Sequence, residues 1–505
     1  MSLHKNYLNE NAKIGKVTSM FINILFKRIN MNDSYSFKEF LTWVFDICSV
    51  ESTNSINLKT ISWLALRKTI KGLSKDLLIK NYSWIKSQMD LYNFYDFSKI
   101  NSSVYLYQKL GFMFIFIERI LINNPFRPIY LTANKKILEN ENNDNKVQMI
   151  TNSKNCYLNL KEFNDSSINI NKNLFTDEVN QELIENIQYL DIIEHSIEIC
   201  LENLSNKDSN VRYLIAKYIS NICQKLSKNL SDQIINLVFS KFEMASEELL
   251  HGICLIIGES IRKKILSPDY LPTVIIILEK SLIFEEYDVN HSTGSIIRDS
   301  ACYISWALAR SFESSIMKEY VIKFGTNLLM CALFDKNTNC RKAAAASFQE
   351  NVGRQGYFLN GIEIISEMDF FSVSRISNSY LQIAPFVASF KNYTISFINY
   401  LAFNRSLHIE KNIRILSGKS LGLVSLLDTS YCNEFIIPKL IELTLSKTVN
   451  KRHGALYSIS CILQAYSGNI QRLIEKDKEI ENIFLRSLSI NEQKLVKSGI
   501  YLQEF

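Results

Sequence analysis

The sequence predicts an all-α chain of stacked antiparallel helix pairs, and three observations carry that expectation. Turn-forming residues are scarce: 6 prolines and 15 glycines in 505 residues are too few for a sandwich or a barrel. Apolar residues recur with helical spacing along most of the chain. A short unit also returns along the sequence, consisting of a polar cap, an apolar residue followed by arginine, and a helix of small residues.

The first 125 residues read as helices. Residues 17–29 are amphipathic, and residues 37–48 are apolar around Trp43 and Phe45. Residues 61–78 place Leu64, Ile70, Leu73 and Leu77 on one helical face, and residues 110–122 form a further apolar helix stopped by Asn123, Asn124 and Pro125. The composition then changes. Residues 131–177 are rich in Asn, Lys and Glu and bury too little apolar area to offset the entropy of ordering, so a disordered linker is expected there. This divides the chain into an N-terminal helical region (1–130), the linker (131–177) and a repeat body (178–505).

The repeat reads KDSNVRYLIAKYISNI at 207–222, GSIIRDSACYISWALAR at 294–310 and NTNCRKAAAASFQENV at 337–352. Weaker copies are EKNIRILSGKSLGLVSLL at 410–427 and VNKRHGALYSISCILQAY at 449–466. The matching arginines are Arg212, Arg298, Arg341, Arg414 and Arg452. They recur at intervals of about 40 residues, or about twice that where a copy has diverged, and such periods belong to HEAT and armadillo arrays. A longer apolar helix is expected before each of these units, most clearly at 270–284, 317–334 and 434–445. Paired helices of this kind stack because neither buries its face alone. An elongated α-solenoid with one concave face follows.

The block CRKAAAASFQENVGRQG at 340–356 carries the strongest local signal. Cys340, Ala344, Phe348 and Val352 share a face, and four alanines permit close helix packing. Asp335, Asn337 and Thr338 are candidate N-caps, and Gly353 and Gly356 are candidate stops. Gln349, Glu350, Arg354 and Gln355 form a dense polar group that a buried seam does not need, so these four are the candidate partner-binding residues. The repeated arginines, with Asp299 beside Arg298, read as a structural ladder that meets Asp or Asn of the next repeat. If exposed, such pairs contribute only about 0–1 kcal/mol each. Glu350 and Arg354, four apart, can pair with each other.

Several function classes are disfavoured. No P-loop, G-x-G-x-x-G, H-E-x-x-H or G-x-S-x-G is present, so neither a catalytic residue nor a cofactor is expected. The 6 histidines do not gather with cysteines at metal spacing; His251 and His453, each followed by glycine in a helical pattern, read as helix-contact or capping residues. The net charge of +6 is small and not concentrated in a stripe, which argues against nucleic acid. The most apolar run, 111–117, is too short to span a bilayer, which needs about 20 residues. The 10 cysteines include no C-x-x-C pair and read as reduced core thiols.

Five motifs together resemble the tubulin-folding cofactor D family of HEAT-repeat chaperones: VRYLIAKYI at 211, LHGICLIIGESIRKKIL at 250, IIRDSACYISWALAR at 296, ALFDKNTNCRKAAAASFQENVGRQG at 332 and KRHGALYSI at 451. Their order and spacing match, and FQENVGRQG is not a general HEAT feature. The resemblance covers 201–466 and implies a cytoplasmic, microtubule-associated protein that holds β-tubulin. It further implies action with cofactors C and E and an Arf-like small GTPase in building or dismantling the αβ heterodimer, and stimulation of tubulin GTP hydrolysis only as part of that complex. Family members are more than twice this long, and the counterpart of their C-terminal half is not among these residues. The alternative reading is a generic HEAT scaffold or transport adaptor; such a carrier binds basic cargo on an acidic inner face, which the near-balanced charge disfavours.

Overall fold

The structure is a computed structural model, and it describes residues 38–39, 41–42, 45, 56–91, 102–121, 189–287 and 292–467. The expected helix at 17–29 and the expected linker at 131–177 lie outside the described residues. Every regular element described is helical; an isolated bridge between Tyr287 and Ser292 is the only extended pairing among these residues. The chain divides into two compact units, Met1–Leu266 and Ser267–Phe505.

The first unit contains α1 (Ile56–Gly72), α2 (Lys75–Lys80), α3 (Tyr82–Leu91), α4 (Ser103–Ile120), α5 (Leu190–Asn203), α6 (Ser209–Lys225), α7 (Lys228–Ser240) and α8 (Glu247–Arg262). The sequence suggests one helix over 61–78, but the structure breaks it. The Ser74 hydroxyl accepts the Leu77 N–H and starts α2, while Arg119 donates to the freed carbonyls of Lys71 and Leu73. The local cap overrides the continuous apolar pattern. α4 lies against α1 and then against α6, where Phe114 stacks on Tyr218 with ring centroids 3.8 Å apart. The Tyr218 hydroxyl, 2.7 Å from Ser196 Oγ, ties α6 to α5. A row of second helices, α4, α6 and α8, runs through this unit.

The second unit continues the scheme with α9 (Leu271–Leu282), α10 (Ser295–Ser311), α11 (Ser314–Phe334), α12 (Thr338–Gln355) and α13 (Gly361–Glu367). Ile376–Asn378, a π turn at Ser379–Ile383 and Ala384–Ala388 run on as α14, followed by α15 (Lys391–Phe403) and α16 (Lys411–Ser425). Thr429–Tyr431, a π turn at Cys432–Ile436 and Ile437–Thr444 form α17, and α18 (Val449–Ser467) closes the described chain. Both π turns end just before a proline, Pro385 and Pro438. A proline ring clashes with the carbonyl four residues back, and the wider turn relieves that clash.

The seam of α12 is as close as its alanines allow. Ala344 and Ala345 are buried, and Phe348 meets Phe358 edge to face at 5.1 Å. Asn337 caps the helix by accepting the Asn339 N–H, and of the two candidate stops Gly356 is the one that takes the left-handed conformation, at φ +70. The tightest approach in the unit is at Gly454 in α18, where an added Cβ would lie 1.7 Å from the Ser406 carbonyl oxygen. Gly454→Ala should therefore destabilise by about 1–3 kcal/mol. Gly353, with nothing within 4 Å of its would-be Cβ, should tolerate alanine or gain up to about 1 kcal/mol. Chemical denaturation of the two variants checks both signs.

Candidate functional site

Two sets of residues on the second helices are candidates for function, one buried and one exposed. The buried set is the arginine ladder, of which Arg452 alone is partly exposed. Each arginine is the fourth residue of its helix: Arg212 in α6, Arg298 in α10, Arg341 in α12, Arg414 in α16 and Arg452 in α18. From that position the guanidinium turns back over the preceding loop and donates to its carbonyls. Arg341 Nη1 reaches Asp335 O at 2.8 Å, and Arg414 Nη1 reaches His408 O at 2.7 Å. Arg212 bonds Asn206 O in the same way, and Arg452 reaches Ser446 O at 3.4 Å. The acceptor is the carbonyl six residues back in all four. Arg298 takes Phe284 O at 2.6 Å instead, because its loop is longer.

The remaining nitrogens of four of these arginines reach the next repeat. Arg298 grips Asp335 with two bonds, at 2.5 and 3.2 Å. Arg341 donates to Val373 O and Ser374 O, both at 2.8 Å. Arg212 Nε donates to His251 Nδ1 at 2.9 Å, and Arg414 Nε to His453 Nδ1 at 3.1 Å, each histidine standing 39 residues after its arginine. Both histidines are thus inter-repeat acceptors. Asp299 lies exposed on the far side of α10, and Asp335 takes the partner role beside Arg298.

Exposed-pair energetics do not apply to this ladder. Arg212, Arg298, Arg341 and Arg414 are 1–6% exposed. Burial lowers the pKa of Arg212, Arg341 and Arg414; at Arg298 burial acts the same way, but the Asp335 carboxylate outweighs it and raises the pKa. Burial and the adjoining Arg212 push the His251 imidazole down to about 4 from its ordinary 6.5. That keeps Nδ1 free to accept.

The exposed set spans α10 and α12. On α10, Tyr303 and Trp306 stack at 6.0 Å, and Arg310 lies over the Trp306 ring at 4.8 Å. Arg310 also stands 3.5 Å from Glu350 on α12, and Glu350 accepts from Arg354 one turn further on. Gln349 is exposed beside them. Of the four candidate partner-binding residues, then, Gln349, Glu350 and Arg354 share one surface. Gln355 does not join them: it is 3% exposed, and its amide donates to Ala309 O at 3.0 Å and Phe312 O at 3.2 Å, the end of α10. Asn351 does the same one turn earlier, donating to Ser305 O and Oγ at 3.2 and 3.1 Å. The block FQENVGRQG is thus two interleaved faces, with Phe348, Asn351, Val352 and Gln355 inward and Gln349, Glu350, Gly353 and Arg354 outward. Sequence reasoning missed Tyr303, Trp306 and Arg310; the signal available was Trp306 one turn before Arg310.

Among the described residues no group of three or more His, Cys, Asp or Glu is arranged to hold a metal, and no helix is long and apolar enough to cross a membrane. The surface offers arginine, tryptophan and tyrosine, the residues that dominate binding energy at protein interfaces.

Residues 135–362 match the family described as tubulin-specific chaperone D-like, ARM repeats. Over 304 residues the chain is 35% identical to a tubulin-specific chaperone D of Dictyostelium discoideum, covering 59% of this chain and 20% of that protein. Over 257 residues it is 27% identical to a tubulin-folding cofactor D of Schizosaccharomyces pombe, covering 47% of this chain and 22% of that protein. The chain spans about a fifth of the length of these curated relatives. A crystal structure of a Kap121p mutant aligns with 94% of this chain and 48% of its own at 12% identity and a TM-score of 0.35, a likeness too loose to bear on function. The chain is similar to tubulin-folding cofactor D over its repeats, and the exposed set lies inside the matched segment.

Breaking the buried pair should be costly. Asp335→Asn leaves Arg298 buried without a counter-charge, and a loss of about 3–5 kcal/mol is expected by chemical denaturation. A second expectation concerns pH. Because His251 resists protonation in the folded state, the unfolded chain takes up that proton first as pH falls. The stability it contributes is complete above 6.5 and is lost between 6.5 and about 4. Melting temperature should fall across that window, and His251→Gln, whose amide oxygen accepts from Arg212 without titrating, should flatten the slope.

Proposed function

We propose that this chain is a tubulin-folding cofactor D-like chaperone that binds β-tubulin. In this reading it works with cofactors C and E and an Arf-like small GTPase to assemble and dismantle the αβ heterodimer in the cytoplasm, associated with the microtubule cytoskeleton. Any stimulation of tubulin GTP hydrolysis belongs to the complex, and this chain supplies no catalytic residue to it. The observation that carries the reading is the 35% identity over 304 residues to a tubulin-specific chaperone D.

The geometry supports a client-binding role. Stable protein complexes bury about 1,200 Å² or more, an area that neighbouring helices of a stacked array present without a deep pocket. Tyr303, Trp306 and Arg310 supply a half-buried aromatic anchor with a charged lid, and Gln349, Glu350 and Arg354 extend it onto the next helix.

A pull-down of the 505-residue chain against αβ-tubulin, with β-tubulin scored separately, tests the proposal. Capture of β-tubulin is the expected result. Arg310→Ala combined with Arg354→Ala should weaken capture at least tenfold while moving the melting temperature by no more than about 3 °C, since both side chains are half exposed. A folded chain that captures no tubulin sinks the reading, and capture unaffected by the double change removes this surface from it.

A further inference from the structure

In the first unit the C-terminal ends of α1, α4, α6 and α8 follow one another in a row, and five cations lie along it. Lys217, Lys225 and Lys263 act on one acidic side chain, Glu118, and Lys75 and Arg119 stand beside Lys225. Glu259, the other carboxylate nearby, is taken by Arg262 at 2.7 Å. The network is continuous. Lys263 Nζ bonds Ser220 Oγ at 2.7 Å and also the Asn221 side chain, whose amide donates to Glu118 Oε1 at 2.8 Å. Lys225 bonds the Glu118 carbonyl, Lys75 bonds the Leu121 carbonyl at 3.2 Å, and Arg119 bonds the Lys71 carbonyl at 3.1 Å.

We propose that this cation cluster is a docking site for an acidic peptide segment, a role separate from the tubulin reading above. Helix C-termini attract cations because their last carbonyls lack partners, and that accounts for lysines being here. It does not account for five of them. Five cations against Glu118 leave a formal charge of about +4, which the negative ends of the helix dipoles offset only in part. Donor capacity also remains. Lys75 and Lys225 each make one hydrogen bond to a main-chain oxygen, although an ammonium group has three donors. Lys217 is exposed and meets only the face of Tyr213, at 5.6 Å.

The electrostatics agree. Burial pushes Lys263 down to about 8 despite Glu259 and Glu118, with Arg262 and Lys217 adding to the effect, and burial likewise lowers Lys225, with Lys75 and Arg119 adding. Burial raises Glu118, while the Asn221 hydrogen bond and Lys225, Lys263 and Lys217 act to lower it. An incoming anion offsets the mutual repulsion that adds to burial in lowering Lys263 and Lys225.

The chemistry favours carboxylates on a peptide. Four of the five cations are lysines, compact point charges, rather than the arginine forks that seat a single carboxylate or phosphate in two parallel bonds. Spaced point charges match carboxylates spaced along an extended chain. Tyr213, the aromatic side chain beside Lys217, already has its ring covered by that ammonium group, so the cluster offers no stacking platform of the kind single-stranded nucleic acid uses.

The test is fluorescence anisotropy of a labelled deca-glutamate peptide with the full 505-residue chain. Saturable binding is expected, weakening as salt is raised from about 50 to 150 mM. Lys75→Gln, Lys217→Gln and Lys225→Gln together should weaken it at least tenfold. A control triple of equal charge change in the second unit, Lys391→Gln, Lys411→Gln and Lys419→Gln, should leave it within twofold. If the first triple does not fold, Lys217→Gln alone, at an exposed position, should still weaken binding about threefold. No saturable binding by the unaltered chain, equal weakening by the control triple, or tighter binding of a ten-nucleotide oligothymidylate than of the peptide would each overturn the proposal.

Discussion

The repeats depend on a cation placed where water cannot reach it. A buried guanidinium is tolerated only when its donors find acceptors, and a loop entering a helix has carbonyls that no ladder satisfies. Putting arginine at the fourth helical position solves both problems with one side chain. Nη1 gathers the loop carbonyls, and Nε and Nη2 remain to reach the next repeat. The second set of partners varies, being a carboxylate at Asp335, an imidazole at His251 and His453, and main-chain oxygens at Val373 and Ser374. The first is nearly constant. The recurring geometry therefore belongs to the loop, and the inter-repeat bond uses whatever acceptor the next helix or loop presents.

Much of this was legible in the sequence, and what was not has physical causes. The arginine positions and the helix class follow from periodicity and residue type, which also narrow the cap and stop of α12 to the few candidates that include Asn337 and Gly356. The partners of the arginines do not, because most are backbone carbonyls, which carry no sequence signature. Two diverged copies were hidden because they lack the arginine itself. In α14, which lies between the helices of Arg341 and Arg414, the fourth position is Ser379, and its hydroxyl bonds Val373 O, again the carbonyl six residues back. In α8, which lies between the helices of Arg212 and Arg298, the fourth position is Leu250. A small hydroxyl and a leucine stand where the pattern calls for arginine, so the interval between successive arginines nearly doubles at these two places and looks irregular. The break at Ser74 was hidden by the apolar pattern on either side of it, and Gln355 looked like a surface residue because it is polar and next to Arg354. Its burial follows from helical phase with Phe348 and Asn351, which composition does not report.

A second device in the second unit bridges elements far apart in sequence. Glu285, in the loop before α10, meets Arg405 at 2.5 Å and His408 at 2.9 Å in the loop before α16. His408 Nδ1 accepts the Glu410 N–H, which leaves Nε2–H as the donor to Glu285. Burial alone would raise the Glu285 carboxyl, but His408 and Arg405 outweigh it and hold it well below the usual carboxylate range. Buried ion pairs of this kind add little net stability over an apolar replacement, yet they penalise any arrangement that leaves one member unpaired. Their contribution is to fix which loops meet, a constraint that near-identical apolar helix faces cannot impose.

The ladder also explains why the exposed set lies where it does. Holding Arg341 inward fixes the rotation of α12 about its own axis. At 3.6 residues per turn Phe348, about two turns on, returns to the inward face, as does Gln355 about four turns on, whereas Glu350, about two and a half turns on, must point out. On α10 the same anchor at Arg298 turns Tyr303, Trp306 and Arg310 outward together. Two helices phased by equivalent arginines bring Arg310 and Glu350 to 3.5 Å across the groove between them. The proposed partner surface is therefore the reverse side of the ladder. Its residues carry little of the folding energy, since Arg310 and Arg354 remain about half exposed. They can change without disturbing the buried face that keeps the helices in register, which leaves this exposed surface free to differ from repeat to repeat.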